Sequence, residues 1–185
     1  YSVLNQSADI LIAFVISKSR ELADVADTIV SERDGVANEA APIYNIGWIG
    51  DLYDVVEVLQ LYGNPEYDLY KNSKFAKMFS GAIPVALVDT HTAQIGDSEA
   101  TANIGFSTDM QIMVNGFKEL KDTPIANELA EYIYRTNGYS VEGLHYDIYT
   151  ADTESVQRDI LDRIDDDTAA PSEMMAGYGF AVLRD

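Results

Sequence analysis

Apolar residues recur about every 3.6 positions along most of this chain, and this spacing constrains the fold more than any other feature. The pattern is typical of helices that bury one face. It predicts helices over residues 5–32, 40–62, 72–82, 108–120, 124–136 and 152–164. Gly and Pro separate the segments, as in Asp34-Gly35 and Gly63-Asn64-Pro65. The sequence therefore predicts an all-α architecture of antiparallel helix pairs.

Three positions leave the local structure open. Pro84 either lies inside a further helical turn or ends the third helix. Residues 144–149 are compatible with a short strand or with an irregular connection. Asp152 or Thr153 is expected to cap the last helix.

The C-terminal residues 177–185 alternate between two faces and predict a β-strand. No later strand follows it, and an unpaired edge is a liability. Because Tyr1 is also not an initiator Met, we expect the chain to be a piece of a longer protein. The expected division is a helical domain over 1–168, then a linker and a first strand over 169–185.

Composition excludes several classes of function. The chain has 31 acidic and 12 basic residues and a net charge of −19, which argues against nucleic acid or an anionic membrane as partner. It has no cysteine, so disulfides, Cys-ligated zinc and thiol nucleophiles are excluded. No hydrophobic run reaches transmembrane length, and we expect no membrane insertion.

Most candidate reactive groups lie in two loops, residues 34–45 and 88–99. Two successive connections at one end of a helical array face the same cleft. The sequence therefore predicts a single site that both loops line.

Three motifs in these regions resemble the heparinase II/III-like polysaccharide lyases. They are Asp-Gly-x-x-x-Glu-x-x-x-x-Tyr at 34–44, Gly-Asp-Ser at 96–98 and Gly-Tyr-x-x-Ala-Val-Leu-Arg at 177–184. The resemblance extends over most of residues 30–185, but only as scattered motifs. It implies an incomplete α/α toroid followed by an antiparallel β-sandwich, whose first strand is the C-terminal segment.

The resemblance also implies cleavage of a uronic-acid-containing polysaccharide by β-elimination. That reaction needs donors that neutralise the uronate carboxylate, a base for the C5 proton and an acid for the leaving oxygen. Asn38 or Glu39 matches the carboxylate-contacting position, and Asn38 is the better donor. Thr90 stands where the family has a catalytic Tyr, and its neighbour His91 is the only titratable base nearby.

The remaining predicted site residues are substrate-binding. Tyr44 and Trp48 are expected to line sugar subsites, together with Thr90 and Asp97. The resemblance implies no cofactor in this part, a structural metal at most in the absent sandwich, and a periplasmic or extracellular bacterial location. The expected partners are an acidic polysaccharide and the remainder of the same chain.

Each of these residues also has a purely structural interpretation. Asn38 can cap a helix, and Glu39 can complement a helix dipole. Tyr44 and Trp48 can belong to the core, His91 can be an ordinary exposed residue, and Asp97 can belong to a turn. We expect the acidic run at 165–167 to be a solvated linker rather than a calcium motif.

The net charge also opposes a polyanionic substrate, although salt screens such repulsion beyond roughly 8 Å. Two other functions therefore stay open. One is a carbohydrate-binding relative without catalysis, which Thr90 favours. The other is a helical-repeat module that binds protein partners.

Overall fold

A computed structural model describes residues 34–36, 41–87, 91–98, 109–146, 154–164 and 170–184. This part of the chain is mostly helical and has two small antiparallel sheets. Its helices are α1 Pro42–Tyr62, α2 Ser73–Val85, α3 Met110–Leu120, α4 Ala126–Thr136 and α5 Ser155–Leu161, and two 3₁₀ turns, Pro65–Tyr67 and Leu69–Lys71, connect α1 to α2. The helix predicted over 5–32 lies outside the described residues.

The first two described helices confirm the predictions made from spacing and punctuation. Pro42 opens α1 at a position where no N–H is needed, and Gly63 ends it in the left-handed region with φ 74°. Asn72 caps α2 by accepting a hydrogen bond from the Lys74 N–H at 2.9 Å. Pro84 lies inside the last turn of α2, so the helix continues through it and ends one residue later.

The later helices form where the sequence predicts them, but their lengths differ from the predicted lengths. Asp109 caps α3 through the Gln111 N–H, at 2.8 Å, and α4 begins two residues after Pro124. The last helix, α5, is shorter than predicted, since Glu154 precedes its first turn and Asp162 follows it. Residues 144–146 form no strand.

Helix α2 lies at the centre of the described core and packs against α1, α3 and α4. Phe79 of α2 and Phe117 of α3 are fully buried there. Gly116 permits their close approach, since a Cβ at that position would overlap the Phe79 ring. Burial of aromatic rings of this size supplies much of the free energy that holds such a bundle together.

Two short hairpins complete the described structure. In the first, β1 Ala86–Leu87 pairs with β2 His91–Thr92, so that Ala86 lies opposite Thr92 and Leu87 opposite His91. In the second, β3 Glu173–Met175 pairs with β4 Phe180–Val182. Met175 belongs to the helical core, and Val182 is also buried.

The second hairpin corrects the prediction of a lone C-terminal strand. Residues 173–175 were assigned to a linker, but they form the partner strand of β4. Residues 176–179 form a turn, closed by a 2.7 Å hydrogen bond from the Gly179 N–H to the Met175 carbonyl. The strand is therefore shorter than predicted, because Gly177-Tyr178-Gly179 makes the turn. The described residues show neither a closed toroid nor a sandwich.

Among the described residues, no helix combines the length and apolar character that a membrane crossing requires.

Candidate functional site

The segment that opens the first predicted loop packs directly on α2. A Cβ on Gly81 would lie 2.6 Å from the carbonyl carbon of Gly35 and 2.7 Å from the Asp34 carbonyl oxygen. A Cβ on Gly35 would in turn overlap the Lys77 carbonyl. Gly35 has φ 88°, which disfavours other residues. The paired glycines therefore allow residues 34–36 to lie against the backbone of α2.

Asp34 joins this segment to the C-terminal hairpin. Its Oδ2 accepts hydrogen bonds from the backbone N–H groups of Gly177, at 2.7 Å, and Tyr178, at 3.2 Å. Hydrogen bonds to an ionised carboxylate are stronger than those between neutral groups. Residues that are more than 140 positions apart in sequence are thus held together at the turn of the β3–β4 hairpin.

Arg184 makes the corresponding connection at the open end of the same hairpin. Its Nη2 donates to the carbonyls of Pro84, at 3.3 Å, and Ala86, at 3.2 Å. Its Nη1 donates to the Pro171 carbonyl at 2.6 Å. The guanidinium group therefore links the C-terminal segment to the end of α2 and the start of β1.

His91 lies on β2, directly beyond this connection. It is half-buried and stands opposite Leu87, while the neighbouring Thr92 is buried opposite Ala86. Gly81 and Ala86 are five positions apart, which corresponds to about 7.5 Å along a helix axis. Residues of two motifs that carry the resemblance, Asp34-Gly35 and 177–184, thus meet the β1–β2 hairpin around the C-terminal half of α2.

The structure does not test every predicted site residue. Asn38, Glu39 and Thr90 lie outside the described residues. Tyr44 is 47% exposed, and Trp48, one helical turn later on α1, is partly buried against the core. Asp97 is exposed in a turn, in which the Ser98 hydroxyl donates to the Ile95 carbonyl at 2.7 Å.

A second polar region, a cleft of about 740 Å³, lies between α1 and α3. A chain of hydrogen bonds crosses one wall. Gln111 donates to Asn115 at 3.0 Å, Asn115 donates to the Tyr53 hydroxyl, and Tyr53 donates to Glu57 at 2.7 Å. Gln111 also donates to the His145 carbonyl at 3.1 Å. The network ties α3 to α1 and to the connection after α4.

Burial and hydrogen bonding keep the phenols of this region protonated. Burial, followed by the hydrogen bond to Glu57, raises the pKa of Tyr53 to about 12. Burial and a 2.9 Å hydrogen bond to Asp159 likewise raise the pKa of Tyr146 above its usual range. Neither phenol is suited to act as a base near neutral pH.

The charges of this cleft do not suit an acidic polysaccharide. Four carboxylates line it, against one ammonium group, and that Lys118 ammonium lies 3.6 Å from Glu119. The carboxylates belong to Asp54, Glu57, Asp109 and Glu119. An acidic polysaccharide, the substrate expected from the resemblance, therefore favours the C-terminal end of α2 over the cleft as the candidate site.

Sequence reasoning did not assign roles to Asp34 and Arg184, although both belong to motifs that it identified. Their partners are backbone groups of distant segments, which a sequence pattern does not reveal. Tyr53 joins a polar network through Asn115 of another helix. The one local signal of that network is the spacing of Gln111 and Asn115, four positions apart on one helix face.

Among the described residues, no group of three or more His, Cys, Asp or Glu side chains is arranged to hold a metal ion. Comparison with protein-family models, with curated proteins and with solved structures finds no match for this chain.

Proposed function

We propose that this chain belongs to a polysaccharide lyase that cleaves a uronic-acid-containing polysaccharide by β-elimination, with its helices in an incomplete toroid. The observation that supports the proposal is that parts of the first and third motifs meet the strand pair that carries His91 around the end of α2. Asp34 contacts the 177–178 turn, and Arg184 contacts the strand that pairs with His91. A site assembled from these segments needs residues that lie far apart in one chain, since Asp34 and Gly177 are more than 140 positions apart.

The proposed roles follow from the chemistry of elimination. The base takes the proton from C5 of the uronate. The electron pair of the broken C5–H bond forms the C4–C5 double bond, and the C4–O4 bond breaks. The leaving oxygen then receives a proton. His91 is the proposed base, and Asn38 or Glu39 neutralises the uronate carboxylate, which makes the C5 proton more acidic. Tyr44 and Trp48 form the proposed sugar-contacting surface.

The test uses the full-length protein and a panel of uronate polymers. Each cleavage creates an unsaturated uronate, whose new absorbance reports the reaction directly. The chain has two histidines, His91 and His145, which provide a matched pair of variants. We expect His91→Ala to lower kcat/KM by about a hundredfold or more, the size typical of losing a general base.

His145→Ala serves as the control, because its ring contacts the Gly143 carbonyl at 3.0 Å and it lines the α1–α3 cleft rather than the proposed site. We expect it to keep activity within a few-fold of the wild type. Loss of activity in His145→Ala with full activity in His91→Ala would contradict the assignment of the base.

A second candidate function is carbohydrate binding without catalysis. The observation that favours it is Thr90, which replaces the Tyr expected from the resemblance. The same experiment separates the two. Binding of a uronate oligosaccharide with no new absorbance from any polymer would select binding alone.

A further inference from the structure

The C-terminal hairpin is fixed to the body of the protein at both of its ends. At its turn, Asp34 accepts the N–H groups of Gly177 and Tyr178. At its open end, the backbone of Arg184 is held by Ser172, whose Oγ accepts the Arg184 N–H at 2.8 Å and donates to its carbonyl at 3.0 Å. These two hydrogen bonds therefore hold the backbone of Arg184 in place.

From this position, the Arg184 guanidinium group donates hydrogen bonds to carbonyl groups at the end of α2. The last carbonyls of a helix have no partner within the helix, and a cation there is also favoured by the helix dipole. Arg184 donates to the carbonyls of Pro84 and Ala86 from one nitrogen and to that of Pro171 from another. A planar group with five N–H donors can hold several carbonyls at once, whereas the single ammonium group of Lys cannot reproduce this geometry.

The contact with Ala86 reaches His91 through one strand pair. Ala86 pairs with Thr92, and Leu87 pairs with His91. The β1–β2 hairpin has only two residues in each strand, and isolated two-stranded hairpins are only marginally stable in water. Its orientation depends on the contacts of both strands. Strand β1 follows α2 directly and buries Ala86, and Arg184 adds a contact to β1 from the C-terminal segment.

We infer that Arg184 is a positioning residue, which sets the placement of the His91 imidazole by fixing β1 to the C-terminal hairpin. This inference rests on the proposed function, in which His91 takes the C5 proton. Misplacement of a reacting group by about 1 Å can cost as much as a hundredfold in rate. A positioning residue does not touch substrate, so its loss lowers kcat and leaves KM almost unchanged.

The test compares Arg184→Gln and Arg184→Lys with the wild type in the full-length protein. We expect kcat to fall tenfold to a hundredfold in Arg184→Gln, with KM within about twofold. Arg184→Lys restores part of the loss, because an ammonium group can still reach one carbonyl. Arg158→Gln is the control, since Arg158 is an exposed arginine on α5, and we expect it to match the wild type.

Hydrogen exchange gives a readout that does not depend on catalysis. We expect faster exchange of the amides at 86, 87, 91 and 92 in Arg184→Gln, with protection of α4 unchanged. Unchanged exchange at these amides overturns the inference, as does faster exchange throughout the protein, which indicates a general loss of stability. A raised KM with unchanged kcat also overturns it, because it makes Arg184 a substrate contact.

The two proposals fail in different ways. If no uronate polymer is cleaved by the wild type, the lyase function fails and no role in placing a catalytic base remains. The exchange result then still decides whether Arg184 fixes β1.

Discussion

Glu128 shows how burial changes the chemistry of a single residue. It lies in the first turn of α4, close enough to Glu173 of β3 for the two carboxylates to repel each other. Burial first, then repulsion from Glu173 and Glu131, raises its pKa from 4.5 to about 7, although Arg135 on the same helix opposes the shift. The neutral acid is therefore the form that the folded protein favours.

The sign of the pH dependence follows from this shift. Because the folded-state pKa lies above the unfolded value, the stabilisation is complete below pH 4.5 and is lost as the pH rises through about 7. A shift of one unit corresponds to about 1.4 kcal/mol. After a discount for partial exposure, we expect a loss of roughly 2 kcal/mol across this window.

Glu128→Gln removes the ionisation and keeps the shape. We expect its free energy of unfolding, measured with denaturant between pH 4.5 and 8, to decrease less with pH than that of the wild type. Glu142→Gln, at an exposed position, provides the control and should keep the wild-type slope. Equal slopes for the wild type and Glu128→Gln would show that Glu128 ionises normally in the folded protein.

At the scale of elements, the contact between residues 34–36 and α2 depends on having no side chain at Gly81. A methyl group there would lie 2.6 Å from backbone of Gly35, which cannot move aside as a flexible side chain can. We expect Gly81→Ala to displace this segment and to lower stability by about 1–3 kcal/mol, the usual cost of overpacking. The proposed lyase activity of the full-length protein should fall as well.

Gly47→Ala is the matched control, since Gly47 also lies in a helix but a Cβ there has no neighbour within 4 Å. It should be neutral or stabilising by about 0.5–1 kcal/mol, because Ala favours the helix. Denaturation midpoints of the two variants measure the difference. If Gly81→Ala were as stable as Gly47→Ala, the close packing of residues 34–36 on α2 would be wrong.

The helices could be predicted from sequence because their signals are local. The apolar spacing of α1 and the Gly63 that ends it lie within one segment. The β3–β4 hairpin could not, since Glu173-Met174-Met175 lacks the β-branched residues typical of strands. Its pairing with residues 180–182 depends on the turn at 176–179 and on burial of Met175 against the helices.

At the scale of the whole molecule, the sequence predicts that two loops share one cleft, and this stays a prediction because residues 37–40 and 88–90 lie outside the described residues. The contacts of Asp34 and Arg184 connect segments that lie about 100 to 140 residues apart. Such contacts leave no periodic signal, because each partner is a backbone group. The division at residue 168 and the lyase function stay predictions.

The net charge of −19 is also a property of the whole chain rather than of the site. Many of the acidic groups lie elsewhere, as in the cleft between α1 and α3. Salt screens their effect beyond roughly 8 Å. We therefore attribute substrate selection to groups close to His91 rather than to the overall field.

A crystal structure of the full-length protein with a bound uronate oligosaccharide tests the central claim most directly. We expect one uronate unit to lie against the end of α2, with its C5 facing the His91 ring and its carboxylate facing Asn38 or Glu39. An oligosaccharide bound in the α1–α3 cleft, or a His91 ring tens of ångströms from Asn38, would contradict the account.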